Sequence, residues 1–115
     1  MPRLLLVDDD LAFREQLAAL LVEHVPDAEI VGSVADGHAA VAEAMRSSPE
    51  VVLIDYAMPG PDGAHAAAVI RQALPDAKVL ILSGLAQEEL RNLPSGVEVI
   101  AKGAGLESRL AAALA

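Results

Sequence analysis

The chain has 115 residues, of which 54% are hydrophobic, and a formal net charge of −9. This length and composition predict one domain with a real core, and the lack of cysteine excludes disulfides, cysteine–zinc sites and thiol catalysis. The acidic balance without a Lys/Arg cluster disfavours direct nucleic-acid binding by this chain, and the apolar runs are too short to span a membrane.

Short apolar runs alternate with helical patterns along the chain. Three of the runs are nearly continuous in Val, Leu and Ile, which is typical of strands covered on both faces, as in parallel sheets. The predicted strands are Arg3–Asp8, Glu29–Val34, Val51–Asp55, Lys78–Ser83 and Val97–Ala101.

Five helical segments follow these strands. In the first, an apolar stripe begins at Phe13 and ends at His24, Asp10 is the expected N-cap, and Pro26 ends the helix. The other stripes run from His38 to Met45 and from Ala66 to Ala73. The remaining segments are a short helix at Ala86–Leu93 and an alanine-rich one at Leu106–Leu114.

A strand followed by a helix, five times over, predicts an α/β fold with a doubly wound, parallel five-stranded sheet. With strand order 2-1-3-4-5, the carboxyl ends of four strands meet at one edge, where such sheets bind ligands. The residues brought there are Asp8, Asp9, Asp55, Ser83 and Lys102. Carboxylates gathered in this way favour a Mg²⁺ site.

Four motifs at these strand ends, LLLVDDD, VVLIDYAMPGPDG, VLILSG and VIAKG, resemble the response-regulator receiver domain of two-component signalling. The stretches FREQLAALL and EIVGSVADGHAAV are most similar to receivers of NarL/LuxR-type transcription regulators. The resemblance implies a flavodoxin-like (βα)5 receiver fold for residues 1–115 as a single domain. It also implies a cytoplasmic signalling protein, not an enzyme with its own substrate.

The resemblance assigns the phosphoacceptor role to Asp55, which would take a phosphoryl group from a sensor histidine kinase. Asp8, Asp9, Asp55 and the backbone carbonyl of Ala57 would hold Mg²⁺. Ser83 and Lys102 would contact phosphoryl oxygens. Pro59 and Gly63 would shape the loop after Asp55, where glycine can supply a positive φ.

The chain after Ser83, which in the family transmits the signal to a partner, departs from the family pattern. Val99 stands where most receivers carry an aromatic residue that rotates on activation, and Gly103 follows Lys102 where many have proline. The segment between Ser83 and Lys102 is shorter than usual. By resemblance, the face of the fourth helix, fifth strand and fifth helix would change its partner preference on phosphorylation and could support a homodimer.

Two alternatives remain open at this point. The first is a pseudo-receiver that keeps the fold as a docking or dimerisation module without phosphorylation. The second is a small phosphohydrolase of the haloacid dehalogenase kind, since Asp8 and Asp10 have its D-x-D spacing. Ala12 stands against the second, because Thr or Val is expected there.

Overall fold

The computed structural model describes residues 2–58, 63–85 and 89–114. Within them lie five strands and four helices. The elements are β1 (Arg3–Val7), α1 (Leu11–His24), β2 (Glu29–Val34), α2 (Gly37–Ser47), β3 (Val51–Asp55), α3 (Gly63–Ala73), β4 (Lys78–Ser83), β5 (Glu98–Ala101) and α4 (Leu106–Leu114).

The strands form one parallel sheet in the order β2-β1-β3-β4-β5, which confirms the predicted topology. In the register, Val7 pairs with Ile54, Asp55 with Leu82, and Ser83 with Ala101. The carboxyl ends of the four strands β1, β3, β4 and β5 are therefore aligned at one edge. The segments that leave these ends carry the predicted functional residues to the same place.

Alternation along β1 divides the core into two apolar clusters, one on each face of the sheet. Leu4 and Leu6 face α1 and α4, where Leu17, Leu21 and Leu110 complete the packing. Leu5 and Val7 face α2 and α3 on the other side. Each fully buried Leu or Ile side chain contributes roughly 1.5–3 kcal/mol to stability. The two clusters cover both faces of the sheet, and the polar residues lie at the edge formed by the carboxyl ends of the strands.

The predicted first helix is confirmed, but not every residue of its predicted apolar stripe is buried. It begins after Asp10, whose carboxylate accepts from the Phe13 N–H, and ends at His24, just before Pro26. Leu17 and Leu21 are buried, whereas His24, at the end of the predicted stripe, is exposed.

The predicted helix at Ala86–Leu93 is the main difference. Residues 86–88 lie outside the described part of the chain, and the described residues 89–93 form no α-helix. Within the predicted range, Asn92 has a φ of 62°, a left-handed value that interrupts a helix, and Gly96 has a φ of 83° three residues beyond that range. The predicted fifth helix is therefore α4. Across residues 2–58, 63–85 and 89–114, no helix has the length and apolar character needed to cross a membrane.

Candidate functional site

The turn between β1 and α1 fixes the first acidic side chain. Asp8 is 2% exposed, and its Oδ1 accepts a hydrogen bond of 2.9 Å from the backbone N–H of Asp10. The carboxylate of Asp10 in turn caps α1 through the Phe13 N–H at 3.3 Å. Asp9, between them, is exposed. The three consecutive aspartates thus have three different environments, and Asp10 is a helix cap as predicted.

Asp55 is the last residue of β3 and is 7% exposed. Its Oδ1 accepts from the Ala57 N–H at 3.4 Å, a long hydrogen bond in the turn that leaves the strand. β3 lies between β1 and β4 in the sheet, and Asp55 itself pairs with Leu82 of β4. The carboxylate therefore extends from a rigid strand end rather than from a free loop.

Gly63 lets α3 begin close to this strand end. A Cβ at position 63 would lie 2.1 Å from the carbonyl oxygen of Asp55, a distance that no side chain tolerates. The expectation of a positive φ at Gly63 is wrong, because positive φ among the described glycines occurs at Gly96, Gly103 and Gly105. Glycine is required at position 63 by close approach of the backbone. Pro59, the other predicted loop residue, lies outside the described residues.

Lys102 joins two of the buried carboxylates. Its Nζ lies 3.1 Å from Oδ1 of Asp55 and 3.3 Å from Oδ2 of Asp8. The backbone N–H of Lys102 donates to the Ser83 carbonyl at 2.9 Å, so the residue is fixed to the end of β4 before its side chain turns inward. One ammonium thus offsets part of the repulsion between Asp8 and Asp55.

The three carboxylates form a cluster of oxygen donors. One oxygen from each of Asp8, Asp9 and Asp55 lies within 4.8 Å of the other two. Hard divalent cations such as Mg²⁺ prefer carboxylate, carbonyl and water oxygens, so this donor set fits a metal ion of that kind. Two of the carboxylates are buried and the third is exposed, which leaves one side of the cluster open to solvent.

Burial raises the pKa of the Asp55 carboxyl above its ordinary value of 3.8. The hydrogen bond and positive charge of Lys102 act against this rise, while the negative charge of Asp8 adds to it. Lys102 thus favours the ionised form of Asp55, against the effect of burial.

Ser83 is the last residue of β4, and its carbonyl accepts from the backbone N–H of Lys102. It is 2% exposed, and its Oγ accepts from the Leu85 N–H at 2.9 Å. Among the described residues, the one acceptor for the Ser83 hydroxyl is the Leu85 carbonyl oxygen, which lies 3.5 Å from Oγ, too far for a strong hydrogen bond. The hydroxyl of Ser83 therefore donates at most a weak hydrogen bond to the Leu85 carbonyl.

Comparison with known proteins identifies the family. A sequence model described as the response regulator receiver domain matches residues 4–104. This chain belongs to the response regulator receiver domain family. The transcriptional regulatory protein LiaR of Bacillus subtilis is 39% identical over 89 residues, which are 77% of this chain and 42% of LiaR.

Solved structures agree with this assignment of a receiver domain. A LuxR-family response regulator from Aurantimonas is 28% identical with a TM-score of 0.87, over 99% of this chain and 82% of that one. A chain of the CheX–CheY–BeF3–Mg complex of Borrelia burgdorferi is 25% identical with a TM-score of 0.82, over 94% and 83%. The resemblance to LuxR-type receivers is therefore confirmed. The chain spans less than half the length of LiaR.

Two contacts of the receiver domain were not predicted from its sequence, and both involve its only aromatic residues. The Phe13 ring centroid lies 4.3 Å from Lys102 Nζ. The hydroxyl of Tyr56 accepts from the Arg91 N–H at 2.8 Å and lies 3.3 Å from the Arg91 carbonyl oxygen. Partners so distant in sequence have no local signal. Of the predicted site residues, Asp8, Asp9, Asp55 and Lys102 are brought together by their side chains.

Proposed function

We propose that this receiver domain takes a phosphoryl group from a phosphohistidine of a sensor histidine kinase onto Asp55. An oxygen of the Asp55 carboxylate forms the new bond to phosphorus as the phosphorus–nitrogen bond to the kinase histidine breaks. The released imidazole keeps the bonding electron pair. The observation that carries this proposal is the position of Asp55, a nearly buried carboxylate at a strand end within 3.1 Å of a lysine ammonium.

Phosphoryl transfer needs positioning and neutralisation of charge more than covalent assistance. Lys102 supports both needs, since its ammonium lowers the pKa of Asp55 against the effect of burial and lies where a phosphoryl oxygen on Asp55 can pair with it. The hydroxyl of Ser83 has a weakly used proton and can donate it to another phosphoryl oxygen while Oγ still accepts from Leu85. These two residues would then be drawn toward Asp55.

We further propose Mg²⁺ as the metal, held by Asp8, Asp9, Asp55 and the carbonyl of Ala57. The cluster of carboxylate oxygens supports this choice, and the similar Borrelia complex is described with Mg and BeF3. Bound there, the metal would supply positive charge to the phosphoryl oxygens. Asp8 is oriented for such a role by the Asp10 N–H. The carbonyl of Ala57 is proposed on family resemblance alone.

Residues 1–115 would act as one receiver domain in the cytoplasm, with signalling as their role and no separate enzymatic substrate. Attraction of Ser83 and Lys102 toward the phosphoryl group would move the segments that follow β4 and β5. The surface of the β4–β5 connection, β5 and α4 would then change its preference for a partner, which includes a second copy of the chain. DNA contacts, if the whole protein makes them as a LuxR-type regulator, would come from residues outside this chain.

The two alternatives are less well supported. A pseudo-receiver would need none of the acidic cluster, yet Asp8, Asp9, Asp55 and Lys102 are present and close together. The haloacid dehalogenase reading requires Asp10 as a second catalytic carboxylate, but Asp10 caps α1. The receiver reading accounts for both observations.

The test is the intact mass of the protein after incubation with Mg²⁺ and acetyl phosphate. One added phosphoryl group is expected, and it should be absent from Asp55→Asn and from a sample without metal. If no adduct survives, beryllofluoride replaces the donor and amide shifts around Asp55 are followed by NMR. A protein that neither gains mass nor responds to beryllofluoride would be a pseudo-receiver, and the proposal would be wrong.

A further inference from the structure

The ring of Phe13 covers one side of the Lys102 ammonium. The ring centroid lies 4.3 Å from Nζ, well within the range of a cation–π interaction. The same nitrogen contacts Asp55 at 3.1 Å and Asp8 at 3.3 Å. The ammonium is thus bounded by two carboxylates and by one aromatic face.

A lysine side chain needs such a boundary if its charge is to stay in one place. Its stem has four flexible carbons, and its compact ammonium is strongly hydrated, so an unrestrained lysine would spend time in solvent. The side chain of Lys102 is 25% exposed, which leaves it a route outward. The aromatic face opposes that movement because its negative quadrupole attracts the cation.

The position of Phe13 depends on the same turn that orders the acidic residues. Asp8 accepts from the Asp10 N–H, and Asp10 accepts from the Phe13 N–H. The ring, the buried carboxylate and the helix start therefore belong to one short hydrogen-bonded segment. A displacement of the segment would move the ring and Asp8 together relative to Lys102.

We propose that Phe13 is a positioning residue, which acts through Lys102 to hold its ammonium beside Asp55 for phosphoryl transfer. This inference rests on the proposed function of Asp55. The phosphoryl group would be bonded to the carboxylate that Lys102 already contacts, so an ammonium held there is close to the charge that develops. Without the ring, Lys102 samples outward positions and its contribution falls.

A purely structural role is the rival explanation, because Phe13 also packs against the apolar cluster of Leu17 and Leu21. Phe13→Leu keeps an apolar side chain there but removes the quadrupole, whereas Phe13→Trp keeps an aromatic face. Leu20→Val is the matched control, since Leu20 lies on the same helix and packs partly buried against the same cluster. Unfolding curves for all variants separate lost packing from lost positioning.

The experiment measures the rate of phosphoryl uptake from acetyl phosphate with Mg²⁺ as a function of donor concentration. Phe13→Leu is expected to lower the maximal rate by about three- to tenfold, the size of one cation–π contact, with the half-saturating donor concentration unchanged. Phe13→Trp and Leu20→Val are both expected to keep the wild-type rate. In a Lys102→Met background, Phe13→Leu causes no further loss, because the residue through which it acts is gone.

A second measurement does not depend on activity. In metal-free protein, the ring should shift the ε-methylene proton signals of Lys102 upfield, and Phe13→Leu should abolish the shift. If Phe13→Leu does not fold, pentafluorophenylalanine at position 13 keeps the shape of the ring and reverses its quadrupole, and the same loss of rate is expected. An unchanged rate in both variants, or an equal loss in the Lys102→Met background, overturns the inference. Failure of the proposed function looks different, since the wild-type protein would then take up no phosphoryl group.

Discussion

Lys102 Nζ lies 3.1 Å from Oδ1 of Asp55, so the first residue after β5 forms an ion pair with the last residue of β3. Because this contact lowers the pKa of Asp55 against the effect of burial, Lys102→Met should raise that pKa further. The measurement is a pH titration of the ¹³C-labelled Asp55 carboxyl in metal-free buffer. Lys78→Met is the control, because Lys78 binds the Ala113 carbonyl instead of a site carboxylate. An unchanged Asp55 pKa in Lys102→Met would contradict the prediction.

Asp55→Asn should make the folded protein more stable at neutral pH in the absence of metal. The folded-state pKa of Asp55 is raised above its ordinary value of 3.8, so the native state binds this proton more tightly than the unfolded state does. The stability that Asp55 contributes is therefore present at low pH and lost as pH rises through the raised pKa.

Urea unfolding of both proteins from about pH 3 to about pH 8 measures this difference. The advantage of Asp55→Asn should grow from the ordinary carboxyl pKa upward and level off above the raised one. Asp27→Asn, at an exposed position, controls for the loss of one negative charge. An advantage that shrinks with rising pH would show that the sign is wrong.

Gly63→Ala should damage both the fold and the site. The added methyl group would lie 2.1 Å from the Asp55 carbonyl oxygen, and the start of α3 or the end of β3 must move. Such overpacking costs about 1–3 kcal/mol of unfolding free energy, and the displaced Asp55 should accept phosphate more slowly. Gly84→Ala is the matched control, since no atom of the described residues, its two chain neighbours apart, lies within 4 Å of a Cβ there. If the two variants were equally stable, the close approach of residue 63 to the Asp55 carbonyl would not be the reason for glycine at that position.

Substitutions at Asp9 and Asp10 should have different effects, the first on metal affinity and the second on helix stability. Asp9→Asn removes an oxygen donor of the cluster and should weaken Mg²⁺ binding at least about tenfold, measured by calorimetry. Asp10→Ala should leave that affinity unchanged but cost about 1 kcal/mol of stability through the lost cap. Asp36→Ala, which removes the cap of α2, should show a similar loss of stability and the same affinity. A large fall in affinity for Asp10→Ala would place that carboxylate in the metal site.

The sheet was predictable because its signals are local. Continuous runs such as Val51–Asp55 are typical of parallel strands, and breakers such as Pro26 mark where helices end. All five predicted strands are present, and the boundaries differ at β1, which ends at Val7, and at β5, which begins at Glu98. The positions of Asp8, Asp55 and Lys102 at one edge follow from the strand order alone.

The predicted helix at residues 86–93 fails in its described part for a physical reason that the apolar pattern does not contain. Asn92 adopts a left-handed backbone angle inside the predicted range, and Pro94 and Gly96, which has a left-handed angle too, follow directly after it. These residues direct the chain from β4 into β5 without an α-helical turn in residues 89–97. An apolar stripe records which side chains favour burial, but it does not record such backbone conformations.

The contacts of Phe13 and Tyr56 were not predictable for another reason. Each depends on a partner far along the chain, so only the assembled sheet brings the groups together. The role of Gly63 was placed correctly after Asp55 but explained wrongly, since the cause is backbone proximity and not φ. Sequence pattern therefore located the site, while its internal restraints required coordinates.

The link between Tyr56 and Arg91 has a practical consequence. The protein contains one tyrosine and no tryptophan, and that tyrosine directly follows Asp55. Its hydroxyl accepts a hydrogen bond from the backbone N–H of Arg91, which lies in the connection between β4 and β5. Tyrosine fluorescence from this chain therefore originates at the residue next to the proposed acceptor Asp55, and no second tyrosine and no tryptophan of the chain contributes to it. The molecule carries a built-in optical probe, suited to stopped-flow recording of events at Asp55 in real time.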